Sequence, residues 1–157
     1  MTIGLPSARR CGIPLIVVLC VAAVRIALAD NEAVALHVRT VLATDSGSAF
    51  DTRLDGYRGQ LRGLFRYNSY RLVKEEERHC AFGRSNNFEI PGGRYLEVLP
   101  VQLREDRLKL RVLLIEGTSS PPLDTDFTVP NRGNIWVGGP RNPDGVLLIS
   151  IGAEATQ

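Results

Sequence analysis

The amino-acid sequence predicts a mainly β fold with one helix (α+β), arranged as a compact antiparallel β-sandwich or as a sheet with a helix packed on it. Two observations lead to this class. About eight short stretches alternate apolar and polar residues and are separated by turn residues every ten or so positions, which is typical of antiparallel sheets. One early stretch, residues 51–65, instead has the period of a helix. We see no internal repeat and no dividing linker, so we expect a single globular domain over residues 30–157.

The first 29 residues have the three parts of a secretory signal peptide. Arg9 and Arg10 form a basic start, residues 13–24 form an apolar run, and Ala27 and Ala29 are the small residues that precede a cleavage site. We therefore expect cleavage after Ala29 and a secreted or periplasmic location. Retention of this segment as a membrane anchor is the alternative, but the apolar run is shorter than the roughly 20 residues that span the hydrocarbon layer. No membrane span is expected after cleavage.

Loss of this leader changes the charge and the cysteine content. The chain of 157 residues has 19 Lys and Arg against 17 Asp and Glu. Three of the basic residues and two of the three cysteines lie in residues 1–29, which leaves 16 basic and 17 acidic residues, with Cys80 as the one thiol. A near-neutral domain has no global attraction for nucleic acid, so no nucleic-acid partner is expected. A single thiol forms no internal disulfide, so the hydrophobic core has to stabilise the fold.

The first two elements are a strand and a helix. Residues 34–42 place their apolar side chains on one parity, which predicts a half-buried strand. After a polar loop at residues 44–48, residues 51–65 predict a helix of about four turns. Its apolar stripe consists of Leu54, Tyr57, Leu61, Leu64 and Phe65, and three glycines project on the opposite side. Because glycine weakens a helix, this one needs to dock on a sheet.

Short strands follow the helix. Residues 69–74 and 79–82 predict two strands, and the acidic run at residues 75–77 between them is typical of a soluble strand edge. Residues 88–90 predict a third strand, which ends at the turn Pro91-Gly92-Gly93.

The clearest unit of the sequence is a hairpin. Its arms are residues 95–103 and 108–114, and residues 104–107 form its polar loop. In the first arm the pattern groups Tyr95, Leu99, Val101 and Leu103 on the apolar face. Pro100 in this arm predicts an edge position or a bulge.

The last strands follow a break at Pro121-Pro122. Residues 127–129 and 135–137 predict two short strands, and Gly138-Gly139-Pro140 begins a loop that continues to Gly145. Residues 146–151 are apolar on both parities, which predicts a central strand covered on both faces.

Two residue sets raise the alternative of a small secreted hydrolase. Cys80 with His37 is one set, whereas His79 is the sequence neighbour of Cys80 and therefore points to the other face of its strand. Asp124 and Asp126 share a parity and are the other set, since paired carboxylates can hydrolyse glycosides at suitable separations.

No metal or cofactor site is predicted. His37, His79 and Cys80 lack the spacing of recognised zinc sites. The two Gly-Gly segments lack the strand–helix context and the Lys-Ser/Thr ending of a phosphate loop, and are more typical of tight turns. We therefore assign no catalytic, cofactor-binding or metal-binding residue.

Two features predict contacts with a partner. Arg58, Arg62 and Arg66 recur every four residues along one helix flank, where guanidinium groups could bind an anionic envelope polymer. The same row could instead cover the seam between helix and sheet. Trp136, the single tryptophan, is a candidate contact anchor, with core or turn packing as the alternative.

Two sets of segments resemble known groups of proteins. Residues 61–72 (LRGLFRYNSYRL), together with the VGGP at 137–140 and the GVLLI at 145–149, resemble small uncharacterised secreted or periplasmic bacterial proteins. Residues 123–129 (LDTDFTV), followed by the VGG at 137–139, are similar to the late strands of outer-membrane secretins. Pro140 stands where secretins usually have leucine. The first resemblance implies no activity, and the second implies a place in envelope assembly.

The sequence thus predicts an exported, non-enzymatic envelope domain that binds or supports a partner, either a protein or an envelope polymer. The alternatives are a small secreted hydrolase and an accessory component of an envelope secretion or assembly system.

Overall fold

Eight strands form two antiparallel sheets in the computed structural model, which describes residues 33–117 and 123–155. The predicted leader and the Pro121-Pro122 break lie outside these residues. The strands are β1 (Ala33–Thr44), β2 (Ser69–Ala81), β3 (Asn86–Ile90), β4 (Arg94–Arg104), β5 (Arg107–Glu116), β6 (Leu123–Pro130), β7 (Gly133–Asn142) and β8 (Gly145–Ala155). Sheet I has the order β2-β1-β8-β7, and sheet II has the order β3-β4-β5-β6. This arrangement confirms the predicted class of a mainly β, sandwich-like domain with one helical segment.

The main core lies between the two sheets. Alternate residues of each strand point inward, and their apolar side chains form one buried cluster that draws on both sheets. Its largest members are Leu36, Phe88, Ile90, Leu96, Leu108, Leu110, Leu147 and Ile149. The central position predicted for the last strand is confirmed, because β8 lies between β1 and β7 and is buried along most of its length.

A second, smaller core lies on the outward face of sheet I. Here a helical segment, made of a 3₁₀ turn (Thr52–Tyr57) and helix α1 (Arg58–Leu64), packs on one half of the sheet. Leu54 and Leu61 are fully buried against it. The hydroxyl of Tyr70 on β2 donates to the carbonyl oxygen of Phe65 at 3.0 Å and fixes the end of α1.

The helical segment is more broken than the sequence pattern predicts. The expected four-turn helix is a 3₁₀ turn followed by seven α-helical residues, and it ends before Phe65, which is extended. Leu64, assigned to the apolar stripe, is 63% exposed. The weak helix propensity of glycine accounts for the interruption. No neighbouring atoms pack close to Gly56, Gly59 or Gly63, so no packing contact offsets this weakness.

The strand β2 is longer than predicted. Its 13 residues include the acidic run at 75–77, which the sequence pattern placed between two strands. The run continues the strand because its outward members contact polar side chains on β1, as Glu75 does with Arg39 at 2.6 Å. The register shifts beside Val73, which forms a bulge in β2.

The hairpin of β4 and β5 matches its prediction except for the face of β4. Glu105 and Asp106 form the two-residue turn, with φ of 50° and 56°. The predicted bulge is confirmed, because the pairing with β5 shifts between Pro100 and Gln102. The apolar face predicted for β4 was wrong before the bulge, since Leu96 and Val98 point into the core while Tyr95 and Leu99 point outward. Beyond the bulge, Leu103 packs against the main core as predicted. Both parities of this strand are apolar, so alternation could not decide between them.

Candidate functional site

The outward face of sheet II carries an apolar strip that no described element covers. The strip consists of side chains from the two central strands of the sheet, Tyr95, Leu99, Leu113 and Ile115. Glu97 lies on the same face between Tyr95 and Leu99, opposite Leu113. Tyr95 lies opposite Ile115 in the register and is 50% exposed. The other three are half-buried, and none of the four belongs to either buried cluster. An aromatic side chain among aliphatic ones is the composition found at the centre of protein interfaces.

Ion pairs border this apolar strip along β5 and β6. Arg111 donates from Nε and Nη2 to the two carboxylate oxygens of Asp124, at 3.1 and 3.0 Å. Lys109 Nζ lies 2.8 Å from Asp126 Oδ2. The hydrogen bonds from Arg111 lower the pKa of Asp124. A general acid needs a raised pKa, so this geometry favours a polar border over the glycoside chemistry considered for the two aspartates.

Cys80 and the two histidines lie on opposite faces of sheet I. Cys80 is directed inward, where it packs against the main core, whereas His37 and His79 are directed outward. The position predicted for His79 relative to Cys80 is confirmed. Burial raises the pKa of the Cys80 thiol, and the neighbouring Asn86 side chain offsets only part of this rise. The sheet thus separates the thiol from both imidazoles, and burial reduces its thiolate fraction.

The two histidines share one carboxylate. His37 Nδ1 lies 3.4 Å from Oε2 of Glu77, and His79 Nε2 lies 3.1 Å from Oε1. Because the rings contact different oxygens, the three side chains do not converge on one point. No group of three His, Cys, Asp or Glu within residues 33–117 and 123–155 could hold a metal ion. This part of sheet I is therefore a network of polar side chains centred on Glu77.

The three arginines assigned to one helix flank occupy different settings. Arg58 Nη2 lies 2.6 Å from Asp55 Oδ1, and its guanidinium carbon lies 3.9 Å from the ring centroid of Phe50. The guanidinium carbon of Arg62 is 5.8 Å from the same ring, and Arg66 follows the end of α1, so it leaves the helical row. These contacts of Arg58 agree with the alternative that the arginine row covers the seam between helix and sheet. Arg62 and Arg66, in contrast, are exposed. Binding of an anionic polymer by this row stays a prediction.

Trp136 connects β7 to the helical segment. Its indole N–H donates to Gln60 Oε1 at 2.9 Å, and its ring meets Tyr57 edge-on at 5.7 Å between centroids. The side chain is half-buried. These contacts match the packing alternative for Trp136, and its role as a contact anchor stays a prediction.

The second Gly-Gly segment lies inside a strand. Gly138 and Gly139 belong to β7, whose pairing with β8 shifts between Gly138 and Arg141. A Cβ on Gly139 would lie 2.7 Å from the Leu147 carbonyl oxygen, so the close approach of two backbones requires glycine here. The tight turn predicted at Gly138-Gly139 is therefore a bulge. The turn predicted at Gly92-Gly93 is confirmed by φ of 94° and 73°.

The bulge in β7 borders an apolar cleft between β6 and β7, the β6–β7 cleft. Its volume is about 300 Å³. Half-buried Leu123, Val137 and Pro140 form its walls, and Glu116 is its one charged residue. Its floor consists of buried core side chains, namely Leu96, Leu114, Ile149 and Ile151. The cleft can therefore take an apolar group at the side of the sandwich.

No family model, curated protein or solved structure matches this chain. The resemblances to small secreted bacterial proteins and to secretin strands therefore remain predictions. The described part of the chain contains no helix that is both long and apolar enough to cross a membrane. Function has to be argued from the apolar strip and the β6–β7 cleft themselves.

Sequence reasoning missed both of these surfaces. The apolar strip was hidden because Tyr95 and Leu99 were assigned to the core. The signal that could have revealed it is the presence of Leu113 and Ile115 on the polar parity of β5. The β6–β7 cleft depends on the approach of two strands from different sheets, which no local pattern encodes.

Proposed function

We propose that this chain is an exported, non-enzymatic domain of the bacterial envelope that binds a protein partner through the outward face of sheet II. The observation that carries the proposal is the open apolar strip on that face. Sheet I has its outward apolar side chains covered by the helical segment, whereas sheet II has no such layer among the described residues.

The composition of the strip supports a protein partner over an anionic polymer. Its centre is mainly apolar and contains Tyr95, with Glu97 as its one acidic residue, and its border has paired charges of both signs, such as Arg111 with Asp124. A polyanion would need a surplus of unpaired cations, while a protein surface can match an apolar centre with a mixed polar border.

A photo-reactive amino acid at position 95 tests this proposal in the producing cells. We expect one discrete heavier product that contains a different protein and that is lost when Ile115→Ser and Leu113→Ser are introduced together. Position 64 is the matched control, because Leu64 is at least as exposed but lies on the helical segment outside sheet II. The same photo-reactive residue there should give no such product.

Several results would contradict the proposal. These are equal products from positions 95 and 64, no product from either position, and a product of twice the chain mass, which would indicate self-association. The hydrolase alternative would instead be supported if the purified chain turned over an ester, glycoside or peptide substrate and lost that activity on substitution of Cys80 or Asp126.

A further inference from the structure

The four edge strands of the two sheets differ in how their open edges are protected. Beside the bulge in β2, Asp51 and Arg53 bond the backbone of Leu72, and the rest of that strand is rich in charged residues. The strand β3 has only five residues. The strand β7 has a bulge and contains Pro140. Short length, charge, proline and bulges are the usual ways in which proteins prevent a further strand from pairing.

The edge of β6 is less protected, because its two charged residues, Asp124 and Asp126, already pair with cations of β5. Its pairing with β5 is regular from Leu123 to Pro130, and its one proline is the last residue. Alternate residues of an antiparallel edge strand direct N–H and C=O groups away from the sheet. No described residue pairs with that side of β6. Leu123 belongs both to this edge and to the wall of the β6–β7 cleft.

We propose that the open edge of β6 accepts an extended peptide segment of a partner protein as a fifth strand of sheet II, with an apolar side chain seated in the β6–β7 cleft. Backbone hydrogen bonds would supply the pairing, and the cleft would select an apolar residue on the inward side of the added strand. This inference rests on the proposed binding role but uses a surface other than the apolar strip.

The charges on β6 predict which residues the peptide should have on the outward side of the added strand. Asp124 and Asp126 point outward with 42% and 50% exposed side chains, and each already contacts a cation of β5 on one side. Residues of an added strand would lie on their other side, where lysine or arginine is favoured and glutamate is disfavoured. The expected segment therefore alternates apolar and basic residues.

The test uses the full chain, purified from the cells that produce it, and a capped eight-residue peptide that alternates lysine and valine. Binding is followed through the backbone amide signals by NMR. We expect shifts confined to β6 and the β6–β7 cleft, with slower hydrogen exchange on β6. A peptide of the same composition, with four lysines followed by four valines, controls for charge attraction alone and should bind at least roughly fivefold more weakly.

Replacement of the acidic residues on β6 by lysine provides the variants for this test. Asp124→Lys combined with Asp126→Lys should weaken binding of the lysine–valine peptide by roughly fivefold or more and favour a glutamate–valine peptide instead. Asp106→Lys, in the β4–β5 turn, is the control with the same change of residue type and should leave binding unchanged. If the double variant does not fold, Thr128→Glu adds an acid to the same face of β6 and should strengthen binding.

The proposal is overturned by equal binding of the two lysine peptides, by shifts at β2 or β7 instead of β6, or by no binding at millimolar peptide. It is also overturned if the β6 amides are already protected without peptide, whether by a second copy or by another segment of the chain. The double variant Leu113→Ser and Ile115→Ser separates the two surfaces, because it should abolish the cellular crosslink from position 95 while leaving peptide binding to β6 intact.

Discussion

Asp51 is the residue that fixes the helical segment to the edge of β2. Its Oδ1 accepts a hydrogen bond from the backbone N–H of Arg53 at 3.0 Å, and its Oδ2 accepts one from the backbone N–H of Leu72 at 3.2 Å. The Arg53 side chain adds two further bonds to the same carboxylate. These bonds, first of all those from the Arg53 side chain, hold the pKa of Asp51 well below its ordinary value. One carboxylate thus caps the 3₁₀ turn and bonds the strand edge at the same time.

Substitution Asp51→Asn is expected to lower the free energy of unfolding near neutral pH. Because the pKa is lower in the folded state, the carboxylate contributes stability above its ordinary pKa, and this contribution is lost as the pH falls through the folded value. The difference between the parent chain and the variant should therefore be largest at neutral pH and should shrink below about pH 4. Urea unfolding between pH 7 and pH 2 measures it.

The variant Arg53→Met provides the control for this prediction, since it removes the two hydrogen bonds from the Arg53 side chain and leaves Asp51 in place. Arg53→Met should lower the free energy of unfolding by a similar amount at neutral pH. A difference between the parent chain and Asp51→Asn that grew toward acid pH would contradict the assigned role.

At the scale of elements, residues of the same apolar stripe on the helical segment contribute unequally to the stability of the fold. Leu61 is fully buried against sheet I, while Leu64, one turn further along, is 63% exposed. The helix ends before the chain could bring Leu64 to the sheet, because Phe65 is already extended. The contribution of each leucine to stability follows from docking on the sheet rather than from its place in the stripe.

Replacement of each leucine by alanine should separate these contributions. Leu61→Ala is expected to lower the free energy of unfolding by about 2–5 kcal/mol, because it leaves a cavity in the second core. Leu64→Ala, the same change within the same helix, should alter it by less than about 0.5 kcal/mol. Denaturant unfolding of both variants measures the difference. Similar losses for the two would mean that Leu64 is buried by something outside the described residues.

The strands were easier to predict from sequence than the helical segment or the surfaces. The last strand was recognised because both of its faces are apolar, and β5 was recognised because Arg107, Lys109 and Arg111 alternate with leucine and valine in its first half. Alternation failed for β4, where apolar residues occupy both parities and only the second sheet decides which face is covered. It failed again at residues 75–77, because polar side chains of β1 stabilise acidic residues that in isolation would favour a loop.

At the scale of the whole molecule, the order of strands in sheet I makes the fold depend on its last element. The first strand, β1, pairs with β8 along ten residue positions, from Val34 with Ala155 to Ala43 with Val146. The strand β8 also pairs with β7 on its other side. The two ends of the described chain therefore meet in the centre of one sheet, and this contact closes a loop that contains all the other strands.

A chain that ends at Asp144 should therefore lose the native fold altogether rather than fray at one edge. It would leave β1 and β7 without their common partner and would expose the inward side chains of sheet II that pack on Leu147, Ile149 and Ile151. We expect no cooperative thermal transition and strong binding of a dye that reports exposed apolar surface. A chain that ends at Ala155 is the matched control and should unfold in one cooperative transition. A cooperative transition in the shorter chain would show instead that sheet II, with β1 and β2, forms a stable unit without the closing strand.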